Sequence, residues 1–194
     1  MDYPATFEFT APEKVARWRV IGNIVLSIPH GIVLYVLGAF SLVIDVFSWF
    51  AIVFTGKLPA GLAGVNCMLI RYGARVGTFQ DFMRSSYPPF DFDTSLQDNG
   101  NDPEVVVNFE PELVGRSRLS VFFRFILLIP VVIMAFIWGI LWMLTMLVGF
   151  FAVLILGRWP KGLLNLLIGI NRFSIRTSAY GGLLTDKFPP LGLS

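Results

Sequence analysis

The stretch that decides the fold is Val20–Thr55, VIGNIVLSIPHGIVLYVLGAFSLVIDVFSWFAIVFT, 36 residues in which only His30 and Asp45 can titrate. A second stretch, Leu119–Gly157, LSVFFRFILLIPVVIMAFIWGILWMLTMLVGFFAVLILG, runs 39 residues with Arg124 as its one charge. A bilayer hydrocarbon core of about 30 Å is crossed by roughly 20 helical residues at about 1.5 Å each, so either stretch as one straight helix would extend to about 55 Å. Two short spans joined by a tight turn, near Gly38-Ala39 and near Trp138-Gly139, match the thickness. The alternative is a surface-lying helix followed by one span, broken at Pro29 and Pro130, because the residue before a proline is biased away from the helical region.

The flanking charges favour the hairpin. Lys14, Arg17 and Arg19 precede the first block and Lys57 follows it; Arg116 and Arg118 precede the second, with Arg158 and Lys161 after it. Two spans per block put all of these on one side, which the excess of basic residues marks as cytoplasmic, with both termini there. Tyr35, Phe40, Trp138 and Trp142 would form the outer aromatic belt and Trp18 and Trp159 the inner one. The first block starts at residue 20 and is longer than a signal-peptide core, so it is expected to stay in the mature protein.

Composition agrees. The 194 residues are 55% hydrophobic and 14% charged, with a mean hydropathy of +0.70; a soluble domain carries about 25% charged residues. A disordered chain, a collagen-like chain and a nucleic-acid-binding surface are excluded. One cysteine, Cys67, and one histidine leave no intramolecular disulfide and no zinc or iron–sulfur ligand set. No metal or cofactor is expected.

The two halves of the chain repeat each other. Pro4–Pro12 corresponds to Pro103–Pro111 at an offset of 99; from Ile28-Pro29 against Ile129-Pro130 the offset is 101. That offset holds for Gly56-Lys57-Leu58-Pro59 against Gly157-Arg158-Trp159-Pro160 and for Arg71 and Arg75 against Arg172 and Arg176. Self-similarity of this extent is an internal duplication. The repeats are assigned as 1–90 and 103–194, joined by an acidic linker over 91–102. Each holds a strand candidate (5–9 or 105–109), a helical hairpin (about 17–56 or 116–157) and an amphipathic helix (about 60–84 or 161–180). The fold class is all-α membrane protein with four spans, two parallel repeats about an axis along the membrane normal, and short strands that can pair across it.

At about 100° per residue, Leu62, Val65, Met68, Leu69, Tyr72, Val76, Phe79 and Met83 fall within about 120° of arc, as on a helix lying at a surface. Arg71 and Arg75 flank that arc, where basic heads could reach lipid phosphate while their stems stay in the apolar layer. Arg172, Arg176, Lys57 and Arg158 are the corresponding interface candidates. The second amphipathic helix is apolar nearly all round in its first half and is expected to be the more buried. Residues 88–112 hold seven of the chain's 13 acids and none of its 15 basic residues, so the rest carries a positive charge that the overall +2 conceals. The linker is read as a solubilising segment.

Inside the apolar blocks, His30 is a neutral imidazole hydrogen-bonded to a helix carbonyl loosened by Pro29, an axial ligand for a haem or a chlorophyll, or a proton relay; the first is preferred. Asp45, costly at a helix centre, is expected to face a bundle interior and to pair with His30 or Asn23. Their counterparts, Val131 and Met146, cannot titrate, so a symmetric transport site is absent. Arg124 is placed within reach of the cytoplasmic face. No nucleophile elbow, phosphate loop or dinucleotide fingerprint occurs, and no enzyme is expected.

YPATFEF (3–9), PEKVARW (12–18), the IP of the first block, FTGKLPAGL (54–62) and RYGARVGTF…YPPF (71–90) resemble bacterial membrane proteins of the domain-of-unknown-function 4389 family, in two tandem copies. The resemblance implies a bacterial plasma membrane protein and no activity. Together these readings give a non-enzymatic accessory or scaffold subunit, in contact with lipids and with other membrane subunits or itself; the alternative is a small transporter or channel module using Asp45 and His30.

Overall fold

The computed structural model describes residues 3–193. In chain order it comprises β1 (Ala5–Phe9), α1 (Arg19–Leu26), α2 (Ile28–Thr55), α3 (Ala60–Gln80), β2 (Val105–Phe109), α4 (Arg118–Phe122), α5 (Arg124–Leu127), α6 (Ile129–Leu156) and α7 (Lys161–Gly181).

Local chemistry sets these boundaries. Pro29 and Pro130 occupy the first turns of α2 and α6, where a missing N–H costs nothing, and Gly56 and Gly157 close those helices at φ of 70° and 67°. The prolines therefore start the long helices and only kink the chain at Ser27 and Leu128. After α3 and α7 the chain turns through left-handed Phe82 and Leu183, equivalent positions of the two repeats. The amides of Met83 and Leu184 reach back to the carbonyls of Thr78 and Ala179. Such a close normally takes glycine; here burial of the Phe82 and Leu183 side chains holds it.

The expected hairpins do not form. α2 and α6 are each continuous over 28 residues, and Gly38 and Gly139 lie inside them with no turn. Among the described residues there are thus two helices long and apolar enough to cross a membrane, not four spans. A tight turn in hydrocarbon would strand several backbone donors and acceptors, each costing kcal/mol, whereas an unbroken helix pairs them all. Neither stretch contains a proline, asparagine or aspartate at the supposed turn to offset that cost.

Three layers result. The strands pair antiparallel, Phe7 opposite Val107 and Glu8 opposite Val106, so the centre of the sheet is where the two repeats exchange. β1 packs on α7 and β2 on α3; α3 and α7 cross each other; α2 then packs on α3 and α6 on α7. Phe7, Val105, Val107 and Phe109 face inward with Ala63, Cys67 and Ile175 in the main core. The repeats also clasp each other's helix ends: the Val15 amide donates to the Gly157 carbonyl at 2.9 Å, and the Arg116 amide to that of Gly56 at 3.2 Å.

α3 is therefore no surface helix. Twelve of its residues are buried against seven in α7, the reverse of the expected order, because the sheet and the 91–102 segment cover α3 from above. Trp159 likewise turns inward, donating to Phe82 O, while the half-buried Trp138 and the more exposed Trp142 donate their indole N–H to Leu191 O and Asp81 Oδ2. Gly38→Pro tests the continuity of α2: inside a helix it costs about 3 kcal/mol. Denaturation in detergent should show a loss of that size, where a turn at this position would leave stability unchanged.

Candidate functional site

Three polar assemblies are built on this frame. The first is a set of buried guanidinium groups along and beyond α3. Arg71 and Arg75, expected at lipid headgroups, are 2% and 0% exposed. Arg75 grips Asp91 at 2.7 Å and Asp98 at 2.8 Å, and Arg71 reaches Asp98 at 3.4 Å as well as the carbonyls of Val107, Ser95 and Leu96. Arg84, buried just past the helix, holds Asp102 at 2.5 Å and Glu104 at 2.9 Å. The acidic linker is thus the counter-charge of these arginines and not a solubilising spacer. The second repeat has a smaller version: Arg124 and Arg116 share Asp186 at 2.7 and 2.8 Å, and Arg124 lies 3.8 Å over the Tyr180 ring. Arg124 is buried there. Arg172 is half-buried, its Nε 3.5 Å from the Phe7 carbonyl. Lys57 and Arg158 are exposed, and Arg176 is half-buried.

His30 forms the second assembly. Its Nδ1 shares a hydrogen bond with the Tyr72 hydroxyl at 2.6 Å, its ring stacks on Phe90 at 4.1 Å, and Tyr87 closes the side at 4.8 Å. Asn23 belongs to the same end of the molecule, donating to the carbonyls of Phe79 and Arg84.

The third assembly surrounds Asp45. This carboxylate pairs with neither His30 nor Asn23: Oδ1 accepts from Asn66 Nδ2 at 2.9 Å and Oδ2 from Ser41 at 3.4 Å, while Asn66 also donates to Gly182 O at 2.8 Å. It lines a cavity of about 570 Å³ between α2, α3 and α7 that Asn171, Ser174 and Ser178 also face. A second cavity of about 320 Å³ lies between α6 and α7, lined by Asp81, Trp138, Gly139 and Trp142 and by the same three α7 residues. The two are repeat images, since Gly38 and Ser41 correspond to Gly139 and Trp142. Each holds one carboxylate, from unrelated positions: Asp45 aligns with Met146, and Asp81 with Gly182. Burial pushes the Asp81 carboxyl up to about 6, against the pull of the Trp142 hydrogen bond.

The chain matches the family described as Domain of unknown function (DUF4389) over residues 17–91 and again over 118–191. It belongs to that family. No curated protein and no solved structure matches it. Each DUF4389 copy runs from near the start of its first short helix through an arginine pair, buried in the first copy and half-buried in the second, to the aromatic-Pro-Pro ending. Both strands, and Asp98, Asp102 and Glu104, lie outside the copies, so the layer that neutralises Arg71, Arg75 and Arg84 is supplied mainly between them.

Sequence reasoning located His30 and Asp45 but missed their partners. Asn66, Asp81 and the α7 serines carry no motif; Tyr72 was assigned to an apolar arc. The seven-acid run opposite regularly spaced arginines was the available signal for the ion-pair set.

Two results test these assignments. Asp98→Ala removes the shared partner of two buried cations and should cost about 3–5 kcal/mol, whereas Arg158→Ala on the surface should stay within about 0.5 kcal/mol; equilibrium unfolding in detergent reads both. The carboxyls also divide by pH. Burial would raise Asp91, but hydrogen bonds from Arg75, Asn99 and the Asp93 amide outweigh it and hold the group at about 2. Its stabilisation is present above the unfolded value near 3.8 and lost as pH falls toward 2. Asp81 is shifted the other way, so the folded state loses stability as pH rises from about 4 to 6. Asp81→Asn should raise the melting temperature at pH 7 and leave it nearly unchanged at pH 4.

Proposed function

We propose that the chain is a non-enzymatic membrane protein of the bacterial plasma membrane, with its polar layer and both termini on the cytoplasmic side, acting as a scaffold or accessory subunit for a larger membrane assembly. The observation that carries this reading is the division of its surface. Only 11% and 6% of the residues in the most apolar windows of the two long helices are buried, and Tyr35, Phe47, Phe54, Phe136 and Ile155 stand outward from them. The buried arginines, by contrast, are consumed in internal ion pairs. An exposed apolar area of this extent marks a lipid or protein contact. The polar groups within also favour structure over chemistry: His30 is bonded to a phenol and enclosed by aromatic rings, and Asp45 is held by the Asn66 amide and the Ser41 hydroxyl. Lipids, other membrane subunits and a second copy are the proposed contacts.

One observation favours a second reading, a small transport module: the cavity of about 570 Å³ joins Asp45 to Ser41, Asn66, Asn171, Ser174 and Ser178. Its carboxylate has no counterpart in the other repeat, and the paired Asn66 occupies it.

Native mass measurement of the protein extracted from its own membrane in mild detergent separates the two. A stoichiometric second subunit is the expected result. A homo-oligomer of this chain alone, whose ion flux in proteoliposomes falls at least tenfold on Asp45→Asn, overturns the scaffold reading.

A further inference from the structure

α2 keeps one face toward the protein along its whole length. His30, Leu37, Ser41, Asp45, Ser48 and Ile52 recur at close to 3.6 residues and are its inward positions, four of them polar. On α6 the buried positions are Val131 near its start and Thr145, Gly149 and Val153 toward its end. A helix that left the packed layer to cross a bilayer would lose that stripe part-way. These helices instead lie along the α3/α7 layer from end to end.

Both ends of the α1–α2 unit are tied to the same strand. At the start, Asn23 donates to the Arg84 carbonyl, and the Arg84 side chain holds Asp102, three residues before β2. At the finish, the Leu58 amide donates to the carbonyl of Leu113, four residues after β2. The segment from Asp102 to Leu113 can reach at most about 36–40 Å when extended, so the helix runs beside it.

The charges say which leaflet region the ends occupy. Arg17 and Arg158 lie exposed at one end of the helix pair, and Lys57 and Arg118 at the other. Arg17 reaches the Ile155 carbonyl at the α6 terminus. Cations thus sit at both ends of both helices, as suits a belt of anionic headgroups surrounding an apolar raft. The acidic segment is on the opposite face of the molecule.

We infer that α2 and α6 lie in the plane of the membrane, embedded in a single leaflet, with acyl chains of that leaflet covering their outer faces and no segment crossing the bilayer. The inference rests on the membrane reading given above and replaces crossing by one-sided insertion.

Single-cysteine labelling of the full chain tests it. In a Cys67→Ala background, Arg17→Cys, Lys57→Cys, Asn99→Cys and Gly38→Cys are each treated with a membrane-impermeant maleimide, in intact cells and in inside-out vesicles. Positions 17, 57 and 99 should label at least tenfold more in inside-out vesicles, and position 38 in neither until detergent is added. Labelling of 17 and 57 from opposite sides, or of 38 from outside the cell, overturns one-sided insertion while leaving membrane association intact. Release of the unmodified chain from membranes by alkaline carbonate overturns the membrane reading itself.

Discussion

Three guanidinium groups buried in and beside a single helix are the constraint on which the rest depends. Arg71, Arg75 and Arg84 cannot be left without counter-charge in a low-dielectric interior, where an unpaired ion costs several kcal/mol. Asp91, Asp98, Asp102 and Glu104 must therefore be brought onto them, and that fixes the linker against α3. Since Asp102 and Glu104 immediately precede β2, fixing them also places the strand, and β2 in turn pairs β1 across the repeat exchange point. One electrostatic requirement thereby assembles the entire polar layer. The long helices then have a defined surface to lie on.

Much of this was legible. The duplication, the apolar blocks, the strand candidates and their pairing all follow from period and composition, which are local signals. The hairpins failed because the argument compared block length with bilayer thickness and gave too little weight to the cost of a turn in hydrocarbon. Residues Ser27 and Leu128 carry the break that the prolines signalled, which reduces each block to 28 helical residues and removes the need for a turn at Gly38 or Gly139. Arg71 and Arg75 were misplaced for a different reason. A helix with an apolar arc and flanking arginines looks the same whether the arginines meet phosphate or carboxylate, and only the seven-acid run could arbitrate. The acids these two arginines hold are 16 to 27 residues away, beyond any helical periodicity.

The two repeats share a backbone plan and differ where polar groups are buried. His30 and Asp45 belong to the first copy only, and Asp81 takes the place of Gly182. The cavities are therefore images in shape but not in chemistry: one presents a carboxylate held by an amide, the other a carboxyl that burial pushes toward its neutral form and an indole caps. Divergence of this kind argues that the duplication is retained for its geometry. A repeated chemical site would have kept the same residues in both places.

The geometry in question is mutual closure. Each long helix is closed by its own glycine, and the carbonyl of that glycine then takes an amide from the other repeat's approach segment, Gly157 from Val15 and Gly56 from Arg116. The segment ahead of each copy also contributes one strand to a two-stranded sheet, and an isolated pair of strands is at best marginal in water. Separated repeats would expose the inner faces of α3 and α7, unpair both strands and leave both glycine carbonyls without those amides. The exchange makes the pair the folding unit. It also holds two apolar helices at a fixed spacing with every flanking cation at their ends, an arrangement that one copy alone cannot produce.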